Sequence, residues 1–131
     1  MILAPGFSPQ PTTQTDTLSG GFVNALDFDS HCRGVLRPVP QHVIEVTAAI
    51  AALSIVVNAA NSDPTLVIRT PDGRYLCNDD YEGLDSRVRA PFGPGRYEVF
   101  VGAYDTGGRS SYDYRLGVSE ADIHPSEIPE P

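Results

Sequence analysis

The sequence contains no lysine. All nine basic residues are arginine, which excludes Schiff-base chemistry and a lysine general base. Positive charge is scarce as a whole: 17 Asp and Glu leave a net charge of −8. Phosphate neutralisation needs basic patches, so the charge argues against nucleic acid and anionic membrane as partners and favours cations and cationic partners. No apolar run approaches the roughly 18 residues that cross a bilayer. Cysteine is limited to Cys32 and Cys77, which lie far apart and in no CxxC motif. With two thiols and three histidines, His31, His42 and His124, a closed zinc site is not expected. HExxH, GxSxG and glycine-rich phosphate loops are all missing, so no motif names a reaction.

What is present is a chain of 131 residues, enough for one domain with a single core that folds without metal or many disulfides. Its 12 Gly and 12 Pro are scattered and imply many turns. A Cys32–Cys77 disulfide is expected, with buried free thiols as the alternative; closing that loop contributes about 4 kcal/mol in the chain-entropy model. The disulfide reading places the chain outside the reducing cytoplasm, secreted or periplasmic. The first five residues lack the charged and long apolar regions of a complete secretory signal and read as an artificial start or a mature terminus from which a leader was removed.

Residues 1–14, with Pro5, Pro9 and Pro11 among Ser, Thr and Gln, are expected to be a disordered linker. Residues 15–120 are expected to be the domain. A short first strand over residues 16–23 breaks at Gly20 and Gly21. Residues 24–33 read as a polar loop, and residues 34–39, bounded by Pro38 and Pro40, as an edge strand. Residues 42–47 alternate. Residues 48–60 are ambiguous, since alanine favours helix while Leu53, Ile55, Val57 and Ala59 recur every second residue. The consecutive β-branched residues assign strand to residues 53–59, with helix as the alternative.

Residues 66–69 and 74–77 flank Thr70-Pro71-Asp72-Gly73. Pro presets φ, Asp bonds its own backbone and Gly tolerates positive φ, so a tight hairpin is predicted. Residues 87–90 form a short strand and Phe92-Gly93-Pro94-Gly95 a corner. The clearest period-two strands are residues 96–104, with Tyr97, Val99 and Val101 on one face, and residues 111–118, with Tyr112, Tyr114, Leu116 and Val118 on one face. Phe100 falls on the opposite face, either exposed or covered by a loop. Residues 105–110 join these strands as a loop of hairpin size. Residues 121–131 are expected to be a disordered, acidic, Pro-rich tail. About eight short strands at this spacing give an all-β, antiparallel, jelly-roll-like sandwich.

In order, DPTLVIRTPDG, LCNDDYEGLDSRV, PGRYEVFVGAY and SYDYRLGVSE resemble the bacterial prepeptidase C-terminal domain, a family related to collagen-binding β-sandwiches. The resemblance covers residues 15–120, most strongly from Asp63 onward. It implies export, frequent attachment to secreted proteases and no catalysis by the domain itself. Related collagen-binding domains hold calcium near an N-terminal linker. The linker here lacks their acidic run, and the 131 residues hold no protease domain, which weakens the inference of collagen binding.

Three groups of residues carry candidate chemistry. Asn78, Asp79, Asp80, Glu82 and Asp85 follow Cys77, while Asp27 and Asp29 precede Cys32. A disulfide draws these loops together, and Asp63 sits on a neighbouring turn. Crowded carboxylates repel, and a hard cation with six to eight oxygen ligands relieves them. Calcium at Asp27, Asp29, Asp63, Asn78, Asp79, Asp80 and Asp85 is therefore the metal expectation, set against solvated turn acids. The spacing is not that of an EF-hand. His31, beside Ser30 and these acids, is the one loop histidine from which a Ser/His/Asp arrangement is conceivable, and the Asp80/Asp85 pair is too common a turn feature to indicate glycoside hydrolysis. No enzyme is expected. The loop from Asp105 to Tyr112, with Gly107, Gly108, Arg109, Ser110 and Tyr112, has the composition of a segment that plugs a partner's cleft, set against an ordinary hairpin loop with Tyr112 in the core. It distantly resembles the loop of periplasmic lysozyme inhibitors, and an acidic protein suits a basic lysozyme. The functional expectation is thus a secreted, non-catalytic accessory or binding module for a protein or polysaccharide, with inhibition of a cationic hydrolase as the alternative.

Overall fold

The computed structural model describes residues 1–7, 11–19, 23–59, 62–104 and 111–131. Among them eleven strands form two sheets, and the only helical elements are two 3-10 turns at Ala25–Asp27 and Pro125–Glu127. In one sheet β10 (Gly95–Ala103) is central. It pairs on one side with β5 (His42–Val46) and then β4 (Val35–Leu36), and on the other with β7 (Pro64–Arg69). β1 (Ile2–Leu3), β3 (Val23–Asn24) and β8 (Tyr75–Asn78) complete that sheet. The second sheet runs β2 (Thr12–Ser19), β11 (Ser111–Ser119), β6 (Ile50–Asn58), β9 (Ser86–Phe92). All pairings are antiparallel except β1 with β5. The result is the β-sandwich that the alternating patterns predicted.

Period-two patterning explains the inner faces. Ile44, Leu53, Ile55, Val57, Leu66, Ile68, Tyr97, Val99, Val101, Tyr114, Leu116 and Val118 form the main core between the sheets. Each fully buried aliphatic side chain contributes roughly 1.5–3 kcal/mol. β6 is a strand, with a register shift between Ile50 and Leu53, so the helical alternative for the alanine-rich stretch is excluded. The Thr70-Pro71-Asp72-Gly73 turn forms as predicted. Gly73 has φ +82°, its N–H donates to the Thr70 carbonyl at 3.0 Å, and the Asp72 carboxylate accepts from the Thr70 hydroxyl and from Arg74 Nε.

Several expectations are corrected. Residues 1–14 are not wholly linker: β1 pairs with β5, and Leu3 is buried in the main core with Met1 and Phe7 packed against it. The first long strand starts at Thr12, because β11 offers an eight-residue ladder from Ser111↔Ser19 to Val118↔Thr12. β4 is no edge; it lies between β10 and β3. β10 and β11 are not a hairpin, since they belong to different sheets. Residues 121–131 are ordered by Ile123 and Ile128, which bury against Val56 on the outer face of the second sheet.

That last contact shows why β6 is buried continuously from Leu53 to Asn58: its inner residues meet the core and its outer ones meet residues 120–131. β10 is likewise buried from Val99 to Ala103, because Phe100 belongs to a second cluster on the outer face of its own sheet. That cluster contains Ala25, Cys32, Leu36, Val67 and Phe100.

Candidate functional site

The second cluster carries the disulfide. After β3, Asn24 caps the 3-10 turn by accepting from the Leu26 N–H at 3.0 Å. The Ala25 N–H donates to the Gly34 carbonyl at 2.9 Å and closes the excursion. Gly34 has φ +111°, and a Cβ there would lie 2.3 Å from Thr65 Oγ1, so no side chain fits. Cys32, fully buried, bonds Cys77 with their Cα atoms 5.5 Å apart. Phe28 stacks on Tyr75 and tilts against Phe100, each at a centroid separation of 5.5 Å. The expected disulfide is therefore present and Phe100 is covered by this excursion.

The disulfide joins the two acidic loops, but their donors are engaged locally. Asp29 accepts from its neighbour His31 at N–H (2.8 Å) and at Nδ1 (3.1 Å), and these bonds hold its carboxyl below the usual value. Asn78 Oδ1 accepts from the Arg87 N–H at 3.1 Å, and Asp85 Oδ1 accepts from the Ala59 N–H at 3.1 Å. Burial raises the Asp85 carboxyl. Asp79 is half-buried, while Asp27 and Asp80 are exposed. Asp63 is half-buried, and its main-chain carbonyl accepts from the Tyr104 N–H at 3.0 Å. Among the described residues no three His, Cys, Asp or Glu side chains are grouped to hold a metal ion. Among the described residues these side chains form no shared calcium cage.

Of the loop expected to meet a partner, Gly107, Gly108, Arg109 and Ser110 lie outside the described residues. Tyr112 turns inward: it packs against the main core and its hydroxyl donates to the Gly102 carbonyl. His31 is exposed and pairs with Asp29 alone among the acids. The histidine with the most developed network is His42, in the core. Its Nδ1 donates to Gln14 Oε1 and its Nε2 accepts from the Tyr114 hydroxyl, each at 2.8 Å. Burial pushes the ring pKa below 6.5 and the Tyr114 hydroxyl upward.

The sequence reading missed three surface features. A groove of about 370 Å³ beside the disulfide excursion is lined by Asn24, Leu26, Arg33, Gly34, Val35 and Tyr104, with Leu26 48 % and Tyr104 51 % exposed. A cleft of about 380 Å³ lies between the β7–β8 turn and the β9–β10 corner, walled by Pro71, Leu76, Pro94 and Tyr97 with Asp72 and Arg74 at one side. The third is the seat of residues 120–131. The proline content of the two corners and of residues 121–131 was the one available signal, and it reads equally as loop.

No family model matches the sequence and no curated protein matches it. Solved structures do. The pre-peptidase C-terminal domain of a collagenase from Bacillus anthracis aligns with a TM-score of 0.57 and 19% identity, covering 90% of this chain and 92% of that one. PliG of Aeromonas hydrophila, a periplasmic inhibitor of g-type lysozyme, aligns at a TM-score of 0.46 and 14% identity over 90% and 94%. No helix among the described residues is long and apolar enough to cross a membrane. In its two sheets and their extent, the chain has the fold of a pre-peptidase C-terminal domain.

Proposed function

We propose that the chain is an exported, non-catalytic accessory module that binds an extracellular protein or polysaccharide. The observation that carries this reading is the fold likeness to a pre-peptidase C-terminal domain over 90% of this chain and 92% of that one. The Cys32–Cys77 bond supports a secreted or periplasmic location, since such bonds persist in oxidising compartments. The neighbour's parent enzyme is a collagenase, which puts extended matrix proteins first among ligands to try. Immobilised collagen, gelatin and peptidoglycan, titrated with the oxidised protein, test the reading: saturable binding to one of them is expected. Flat responses on all three, or turnover above blank on ester, peptide or glycan substrates, would overturn it. Calcium stabilisation is tested separately by the melting temperature in calcium against chelator, a rise on adding calcium supporting it.

A further inference from the structure

Residues 120–131 lie across the outer face of β6, β9 and β11, and the polar side chains beneath them bond main-chain carbonyls almost exclusively. Arg89 Nη1 donates to the Glu120 and Ala121 carbonyls at 3.1 and 2.9 Å, and Ser54 Oγ to Ala121 at 2.8 Å. Arg87 Nη1 donates to Ile123 at 3.0 Å. Asn58 Nδ2 donates to Pro125 and Ile128 at 3.3 and 3.1 Å. Arg115 donates to Pro129 and Glu130 at 3.0 and 3.3 Å. Side-chain pairs add to these: Arg87 with the Asp122 carboxylate, Tyr81 with His124 at 3.1 Å, and Arg89 with the Ser54 hydroxyl at 2.6 Å.

This face offers mainly donors; the acceptor that meets a main-chain N–H of the segment from outside it is the Glu82 carboxylate, which accepts from Ser126 at 2.8 Å. An ordinary peptide laid on it would leave N–H groups facing donors; a proline-rich one presents carbonyls without those N–H groups. The seated segment has prolines at 125, 129 and 131, and its N–H groups at 123, 127 and 128 are satisfied by its own carbonyls. Two apolar anchors complete the fit. Ile123 and Ile128 bury on Val56, and Gly117 makes the slot: a Cβ there would come within 2.9 Å of Ile128 and 3.1 Å of Val56. Three of the nine arginines converge here in a chain of net charge −8, so the face is complementary to an acidic segment.

We propose that this face is a peptide-binding groove selective for acidic, proline-rich, extended segments, occupied within the chain by residues 120–131 and able to exchange them for a partner's segment of the same chemistry. Main-chain capture gives affinity independent of sequence, the two isoleucine seats set spacing, and a lining dominated by donors favours proline wherever no acceptor such as Glu82 faces the segment. The inference deepens the binding-module reading by naming a ligand class. Its test reports on the groove alone, so the matrix-binding assay and this one fail independently.

The probe is a fluorescent peptide of residues 119–131, titrated by anisotropy into the full chain and into an Ile123→Asp/Ile128→Asp variant whose own segment is loosened. A segment tethered in place competes at about millimolar effective concentration, so the variant is expected to bind at least about tenfold more tightly than the unaltered chain. Adding Gly117→Val should abolish binding by filling the slot. A probe with alanine at positions 125, 129 and 131 should bind several-fold more weakly. Cooperative melting establishes that each variant is folded; if the double variant is not, Ile128→Ala, a change in the segment that leaves the groove intact, serves as the loosened form. A folded, loosened variant that binds no better than the unaltered chain, or equal binding of the alanine probe, would overturn the proposal. So would dimerisation that excludes the peptide, which would put a second copy in the groove.

Discussion

Removing the sulfur bridge is the most informative perturbation of this fold, because the sequence and the packing make separable contributions to it. Cys32 and Cys77 are separated by 45 positions. Releasing that loop in the unfolded chain costs about 4 kcal/mol of stability by the loop-closure relation. Unfolding entropy near 2.1 cal/mol/K per residue gives about 0.28 kcal/mol/K for a chain of this length, so the melting temperature of a Cys32→Ala/Cys77→Ala variant should fall by about 15 °C. With a urea slope of about 2 kcal/mol/M, the midpoint should fall by about 2 M. Cys32 is also a member of the buried cluster with Ala25, Leu36, Val67 and Phe100, so trimming it adds a packing loss that reduction of the unaltered protein does not. Thermal melts of oxidised, reduced and double-alanine protein separate the two. A drop below about 4 °C on reduction would correspond to about 1 kcal/mol and refute the reasoning, showing that the cluster alone holds the excursion.

Two further outcomes follow from buried polar groups. His42 is held neutral by burial, its folded pKa below 6.5, so the unfolded chain binds the proton more readily; stability is complete above about pH 6.5 and falls as pH drops, by at most about 1.4 kcal/mol per unit. Urea midpoints at pH 7.5 and 5.5 check this, and a His42→Leu variant should lose that slope; an unchanged slope would locate the titration elsewhere. The Thr65 hydroxyl is buried without a hydrogen-bond partner among the described residues, so Thr65→Val should stabilise by about 1 kcal/mol, and a destabilisation in chemical denaturation would show the hydroxyl bonded after all.

The strands legible in advance were those with one face in water. β5 alternates along its length, and β11 carries Tyr112, Tyr114, Leu116 and Val118 inward as its pattern implies. Legibility failed where both faces are covered. Val67 and Phe100 read as outer-face residues of their strands, yet they form the floor of the disulfide excursion. Val56 does the same beneath Ile123 and Ile128. The acidic loops were legible as neighbours, because the cysteines join them. Their carboxylates were not legible as ligands or otherwise, since Asp85 and Asn78 spend their oxygens on main-chain N–H groups of distant strands.

By itself the sequence determined the sandwich, the Thr70–Gly73 turn and the oxidised pair, because alternation, proline–glycine chemistry and an isolated pair of thiols act locally or leave one partner. Only the tertiary structure decided that residues 1–7 and 120–131 belong to the fold. Each segment is too short to order itself, and each is fixed by a surface assembled from strands remote in the chain. β5 receives Ile2 and Leu3 as a parallel strand. Ser54, Asn58, Arg87, Arg89 and Arg115 supply the donors, and Val56 and Gly117 the slot, that hold the other. No local pattern encodes such a surface, because it exists only once the sheets have formed.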